Sequence, residues 1–286
     1  MDYHSDRFDD ASMMVFKKNK FVGILPAHKN DGVISSHGGL TYGGLITEGL
    51  GTNDILEIWE QLVSELKEMG YHTLRLKTMP SFLQMHYHSA TEYFLYKQAA
   101  NLEGRDMNFV IDLQEPITIH KSKLKKLQAV SESGLEIVQS TDPTAFWNEV
   151  LIPVLRDSYN TSPVHSLEEI QLLMGCFPQN IVQYDVLKDG HIVAGMTLFI
   201  DNGVVKSQYG AAHDEGKRLR ALDYLYWVLF QDYKQKGFRY FDLGTSTVHR
   251  GESYNPGLSR YKEEFGARPV NLDHYILSLW RYPFTI

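Results

Sequence analysis

The sequence predicts an α/β (α+β) fold in two lobes, with mixed, mostly antiparallel sheets flanked by helices. Three observations carry that expectation. Strand-like runs alternate with amphipathic helical runs along the chain. The order strand–turn–strand–turn–strand–helix–glycine–strand occurs twice. No low-complexity linker interrupts the 286 residues, so pattern alone places the boundary, giving an amino-terminal lobe 1–132 and a carboxyl-terminal lobe 133–286.

In the first copy, Met13–Lys17 and Lys20–Ala27 read as strands joined by a tight turn at Lys18-Asn19. Asn30-Asp31-Gly32 turns the chain into Val33–His37, because Asx-Gly between apolar runs is a strong hairpin signal. Ile55, Ile58, Trp59, Leu62, Leu66 and Met69 then form one helical stripe, with Asp54 as the expected cap and Gly70 as the stop. Tyr71–Lys77 is the next strand. Between the copies, Ala90–Ala99 reads as a helix, Asn108–Leu113 as a strand and Ser122–Ser133 as a helix. Lys121, Lys123, Lys125 and Lys126 on that last helix are expected to form a solvated face.

The second copy has a prelude: strand Leu135–Gln139, a helix opened by Asp142-Pro143 that Pro153 should kink, and a helix capped by the Ser166/Glu169 box. Strands Ile181–Leu187, Ile192–Ile200 and Val204–Ala211 follow, turning at Lys188-Asp189-Gly190 and Asp201-Asn202-Gly203. Leu219, Leu222, Tyr226, Leu229 and Tyr233 mark a helix that ends at Gly237 and leads into strand Phe238–Leu243. A polar loop (Gly244–Pro256), a helix (Gly257–Phe265) and an aromatic last strand (Tyr275–Ile286) complete the chain. The first copy has no comparable prelude, so the amino lobe is expected to be truncated.

Composition narrows the function. A net charge of −7 argues against a general DNA binder, which needs a basic surface. Cys176 is the single cysteine, so an internal disulfide or a multi-cysteine zinc site is excluded; its apolar surroundings predict a buried, inert thiol. No run is long and apolar enough to span a membrane, and the start is polar, so a cytoplasmic protein without membrane insertion is expected. G-x-S-x-G, H-E-x-x-H, Walker A and paired C-x-x-C motifs are absent. His86 and His88 form an imidazole pair without a third ligand in view, and no metal is expected.

The element order of the carboxyl lobe resembles the GNAT acyltransferase fold. The likeness sharpens at its end, where Phe241-Asp242-Leu243-Gly244-Thr245-Ser246 and Gly257-Leu258-Ser259-Arg260-Tyr261-Lys262-Glu263-Glu264-Phe265-Gly266-Ala267 resemble the Fem-type branch, whose members carry two GNAT-like lobes. Leu219–Leu229 and Lys125–Val138 also look like this branch. The resemblance implies an N-acyltransferase using acetyl-CoA or another acyl-CoA as co-substrate. The acceptor would be a small amino-bearing molecule, such as an amino sugar or amino acid derivative of a surface-polysaccharide or cell-wall pathway. Fem proteins take amino acids from aminoacyl-tRNA, so a tRNA partner is the alternative. A GNAT-like binding protein without activity is a third reading.

Site residues follow from the same resemblance. His213, Gly216, Lys217, Arg218 and Arg220 occupy the expected donor loop, with Gln208 and Tyr209 on the strand before it. Arg220 stands where the family pattern has glycine and Leu222 where it has a small residue, so Lys217, Arg218 and Arg220 would supply phosphate charge by side chain. Lys262 takes the position of the Fem-type lysine and would stabilise developing negative charge; the other reading is a helix-surface lysine. Asp242 is a candidate to deprotonate or orient the amine, or a structural aspartate bonding the next loop. His249 and Tyr254 are further candidates for base and acid. Ser246, Glu252 and Asn255, with Tyr42 and His37 of the amino lobe, are candidate acceptor contacts.

Overall fold

Turns, caps and prolines set the elements of the computed structural model, which describes residue 3 and residues 5–84 and 88–280. The chain begins with strands β1 (Asp9–Asp10), β2 (Met13–Lys17), β3 (Lys20–Leu25), β4 (His28–Asn30), β5 (Val33–Ser36) and β6 (Ile46–Thr47). Helix α1 (Thr52–Glu68), strand β7 (Thr73–Lys77), helix α2 (Ala90–Lys97), strand β8 (Asn101–Asp112) and helix α3 (Lys121–Val130) follow. Next come β9 (Leu135–Ser140), α4 (Ile152–Tyr159), α5 (Leu167–Cys176), β10 (Ile181–Lys188), β11 (His191–Asp201) and β12 (Val204–Ala212). Helices α6 (Asp214–Arg218) and α7 (Ala221–Gln235) lead to β13 (Tyr240–Thr245), β14 (Thr247–Val248), β15 (Ser253–Tyr254), α8 (Pro256–Glu263) and β16 (Arg268–Ser278).

Most expected elements form, and the departures have local causes. Pro26, which has no N–H to give, ends the expected Lys20–Ala27 strand at Leu25. Gly51, not Asp54, is the N-cap of α1; Asp54 lies in its first turn and pairs with Lys17. Pro153 does not break its helix, but the preceding Phe146–Leu151 widens into a π-helix. The Ser166/Glu169 box closes in both directions, at 3.2 and 2.7 Å. Strand β8 begins at Asn101 rather than Asn108, since alternating charges at Glu103 and Arg105 conceal its start from an apolar count. Cys176 is exposed at the end of α5, contrary to the buried thiol expected from its neighbours. Strand β16 starts at Arg268, well before Tyr275, and residues 281–286 lie outside the described residues. So does His86 of the proposed imidazole pair, whereas His88 is described.

The chain forms two compact units that are not contiguous halves divided between 132 and 133. One comprises residues 1–107, 247–254 and 270–286; the other comprises residues 108–246 and 255–269. In the first, strand order is β1-β4-β5-β7-β16-β8, with β5 parallel to β7, and β2-β3-β6 form a separate small sheet. Its core is built on Trp59, which stacks on Phe94 at 5.4 Å, with Leu25, Ile34, Ile55, Leu66 and Leu74 around them. In the second, strand order is β8-β13-β12-β11-β10-β9, with β12 parallel to β13 and the other ladders antiparallel. Phe146, Trp147 and Val150 are buried in one of its clusters, and Tyr226, Phe230, Phe241 and Phe265 pack ring to ring in another. Each unit thus contains one strand–helix–strand crossover, β5–α1–β7 and β12–α7–β13. The sequence repeat survives in that part. Its first two strands do not match, because β2 and β3 join the small sheet while their counterparts β10 and β11 stay in the main one.

Candidate active site

In the second unit, β12 and β13 run parallel for only three rungs, Val204↔Tyr240 to Lys206↔Asp242. Beyond these, β12 continues along β11 to Ala212, while β13 follows β8 to Asn108↔Thr245. Strands that separate at their carboxyl ends, with a crossover helix between them, leave a place for a ligand. Gln208 is the extra residue of a β-bulge in this strand, since Thr197 pairs with Tyr209 and Leu198 with Ser207.

Asp242 sits on the last rung, fully buried. Its carboxylate accepts from Asn108 Nδ2 at 2.8 Å, from the Gly244 backbone N–H at 2.7 Å and from Lys206 Nζ at 3.2 Å. A buried carboxylate with these donors around it holds its partners in place. The bond to Gly244 is the Asx-type contact foreseen for this residue, and Gly244 adopts φ 76°, which favours glycine.

Lys262, on α8, is no surface lysine: it is 5% exposed. Its ammonium donates to the Gly244 carbonyl at 2.9 Å and the Thr245 carbonyl at 2.7 Å, which accounts for two of its three N–H donors. Burial pulls its pKa down to about 8, against the opposing pull of Asp242, and Lys206 adds to the lowering. One residue past Thr245, the Ser246 hydroxyl is buried and has no hydrogen-bond partner among the described residues. Asn255 caps α8, its side chain accepting the Leu258 N–H at 3.0 Å. The structure therefore brings Asp242 and Lys262 together at the Gly244–Thr245 turn, which Ser246 follows directly in the chain, and adds Asn108 and Lys206, which pattern reading passed over.

The donor loop is tightly built. His213 caps α6 by accepting the Gly216 N–H on Nδ1 at 3.4 Å, while its Nε2 lies 3.0 Å from the Ile192 carbonyl, so both ring nitrogens serve the backbone. A Cβ on Gly216 would stand 2.0 Å from the Val193 carbonyl oxygen, so glycine is required there for packing. Lys217 pairs with Asp214, Arg218 is exposed, and Arg220 takes the left-handed conformation at φ 57° with Asp223 at 3.4 Å. Arg220 is the N-cap of α7, whose first turn receives no side-chain cap among the described residues. Tyr209 is engaged away from this loop, with its hydroxyl 2.6 Å from His165 Nδ1 and its ring edge-on to Trp147.

One lysine of the run on α3 departs from the solvated face expected of it. Lys123 is 5% exposed, stands 3.5 Å from Asp223 and 3.6 Å from Glu264, and lies over the rings of Tyr261 and Phe265. It fastens the first turn of α7 to α8, the helix that carries Lys262.

The remaining candidates belong to the first unit. His249, Glu252 and Tyr254 are exposed on the short β14–β15 hairpin and its turn. His37 is buried there against Phe8 and His28, accepting the Gly39 N–H at 3.1 Å, and Tyr42 is half-buried. Among the described residues no group of three or more His, Cys, Asp or Glu side chains is placed to hold a metal ion.

Residues 120–263 match the family model described as "Acetyltransferase (GNAT) domain". The chain belongs to the GNAT acetyltransferase family. The matched segment runs from α3 to α8 and so contains Lys206, Asp242, Ser246 and Lys262. No curated protein matches the sequence. Among solved structures, FemX is similar with a TM-score of 0.72 at 9% identity, covering 96% of this chain and 90% of its own. A protein from Agrobacterium fabrum assigned as a lysylphosphatidylglycerol synthetase is similar through its C-terminal domain, with a TM-score of 0.63 at 11% identity, covering 94% and 83%. L-PGS from Bacillus licheniformis gives 0.58 at 14% identity over 94% and 84%. At these identities the likeness is one of fold. It extends over nearly the whole chain, whereas the family model matches the GNAT domain alone.

Proposed function

We propose that this GNAT protein is an N-acyltransferase whose chemistry lies where β12 and β13 separate, with an acyl-CoA donor and a small amine acceptor. The observation that carries the reading is Lys262: a buried cation with one N–H left over, next in line to a buried Ser246 hydroxyl that lacks a partner among the described residues. Preorganised donors in a dry site stabilise negative charge as it develops on an acyl oxygen, which is the main demand of acyl transfer. Asp242 holds Lys206, Asn108 and the Gly244 turn in register and thereby fixes the two carbonyls that orient Lys262. The residues at α7 fit a phosphate-bearing donor. Its first turn has no side-chain cap, so its N–H groups and the helix dipole favour an anion, and Arg218 and Arg220 stand at that end. A donor thioester supplies the activated acyl group; the chain's own residues bind it, keep water away and steady the charge.

Calorimetric titration with acetyl-CoA and with CoA tests this directly. Micromolar binding, about −8 kcal/mol, is the expected result. A folded protein that binds neither would overturn the donor assignment. An aminoacyl-tRNA donor is the second reading, favoured by the Fem-type motif and by the FemX-like fold over 96% of the chain. The net charge of −7 weighs against a tRNA surface. Transfer from aminoacyl-tRNA without any CoA binding would establish it.

A further inference from the structure

The small β2–β3–β6 sheet has one face that the acyl-transfer site does not use. Its inner face, with Met13, Val15, Val22 and Leu25, packs on the core of the first unit. Its outer face leaves Met14 67% exposed, Phe16 56%, Phe21 52% and Ile46 40%. Register makes these one patch: Met14 pairs with Ile24 and Ile24 with Ile46, while Phe16 pairs with Phe21, their rings edge to face at 5.8 Å. Directly paired residues on antiparallel strands share a face, so the five apolar side chains are contiguous. Scattered exposed apolar residues need no explanation, but a contiguous patch does.

The turn at the end of this hairpin is basic. Lys17, Lys18 and Lys20 surround Asn19, in a chain whose net charge is −7. Lys17 pairs with Asp54, whereas Lys18 and Lys20 are exposed and make no ion pair among the described residues. Lys18 and Asn19 have φ of 48° and 63°, the two-residue turn that favours Asn-Gly. A lysine in the first place is poorly matched to that backbone, so turn geometry does not account for it. The apolar face and the adjacent cations complement the surface of an anionic bilayer, with rings entering the acyl boundary and ammonium groups meeting the lipid phosphates. A protein partner fits less well, since lysine is depleted from protein interfaces.

We propose that the β2–β3 hairpin docks this protein peripherally on anionic lipid surfaces, through Phe16, Phe21 and Met14 together with Lys18 and Lys20. This inference is independent of the acyl donor and acceptor. The test is co-sedimentation of the full chain with phosphatidylcholine vesicles, with and without phosphatidylglycerol, at low and high salt. The wild type is expected to bind only the vesicles containing phosphatidylglycerol, and more weakly as salt rises. Phe16→Ser/Phe21→Ser, both at exposed positions, should lower partitioning at least tenfold. Lys18→Glu/Lys20→Glu should lower it by a similar factor or more, given roughly fivefold per lysine near an anionic surface. Both variants should keep the wild-type melting temperature. Absence of wild-type binding at low salt would overturn the proposal, as would binding that both double variants leave unchanged. Sedimentation velocity provides a further check: a dimer of the wild type that Phe16→Ser/Phe21→Ser abolishes would assign the patch to a second copy of the chain and overturn the lipid assignment.

Discussion

The two strand–helix–strand crossovers share one plan and end differently. In the first unit, β5 leaves its parallel partner β7 after Ser36↔Leu76, but the glycine-rich loop returns to fill the gap. Gly43 bridges to Thr78 and donates to the Lys77 carbonyl at 2.8 Å, while the Ser36 hydroxyl accepts from Gly44 N at 3.0 Å and Lys77 N at 3.3 Å. In the second unit, the parallel ladder stops at Lys206↔Asp242, and a charged cluster of Lys206, Asp242 and Lys262 lies at its end. The difference teaches where chemistry can reside. A crossover closed by its own backbone is a structural joint, whereas one that ends in buried charge carries a desolvation cost.

Lys262→Met should have the largest effect. Losing one preorganised donor in acyl transfer costs on the order of a hundredfold or more in kcat. Donor affinity should stay within about threefold, because the lysine acts on developing charge. Steady-state kinetics and calorimetry together check this, and a parallel fall in donor affinity would make Lys262 a binding residue. The same lysine sets a pH signature. Its native pKa, about 8, lies below the ordinary 10.5, so the buried cation penalises the folded state fully below pH 8. Between about 8 and 10.5 the native state releases the proton before the unfolded chain does, and stability rises with pH relative to Lys262→Met. Urea titrations at a series of pH values measure that difference, while turnover, which needs the cation, should fall above about pH 8.

Lys123→Met should cost about 3 kcal/mol of stability, since it leaves Asp223 buried without its lysine. Chemical denaturation measures that loss, and a change within experimental error would show that Arg220 alone satisfies Asp223. The two crossovers can also be perturbed separately through their glycines. Gly216→Ala and Gly43→Ala each place a methyl group against a backbone carbonyl, at 2.0 Å from Val193 O and 2.4 Å from Ser36 O. Each should destabilise by about 1–3 kcal/mol. Only Gly216→Ala should also weaken acyl-CoA binding, and equal binding losses in both would break the distinction between an open and a closed crossover.

Much of this was legible in the sequence, for identifiable reasons. Asx-Gly turns and apolar alternation marked the hairpins, and the FDLGTS and GLSRYKEEFGA motifs brought Asp242, Ser246 and Lys262 forward. Asn108 and Lys206 were not legible, because single polar residues in apolar strands look like noise until their partner is known. Asn108 meets Asp242 across 134 residues of chain. Lys123 was hidden for a similar reason: four lysines in six residues suggest a wet helix face, and only the packing of α3 against Tyr261 and Phe265 singles one out. His249, Glu252 and Tyr254 follow the motif closely in sequence, and the fold carries them on the short hairpin grouped with the first unit.

The smallest expected effect bears on the most informative departure, Arg220 in place of the family's glycine. At φ 57° a non-glycine residue is strained, and Arg220→Gly relieves that strain while losing a partly exposed pair with Asp223 at 3.4 Å. The two effects oppose each other, each about 1 kcal/mol or less, so the melting temperature should hardly move. Binding separates the roles. If the guanidinium replaces backbone contact with the donor's phosphates, Arg220→Gly should weaken acetyl-CoA severalfold at low salt, and the loss should shrink as salt screens the charge. Tighter binding in the variant would mean that the side chain obstructs the loop, and the departure would then mark a donor other than CoA.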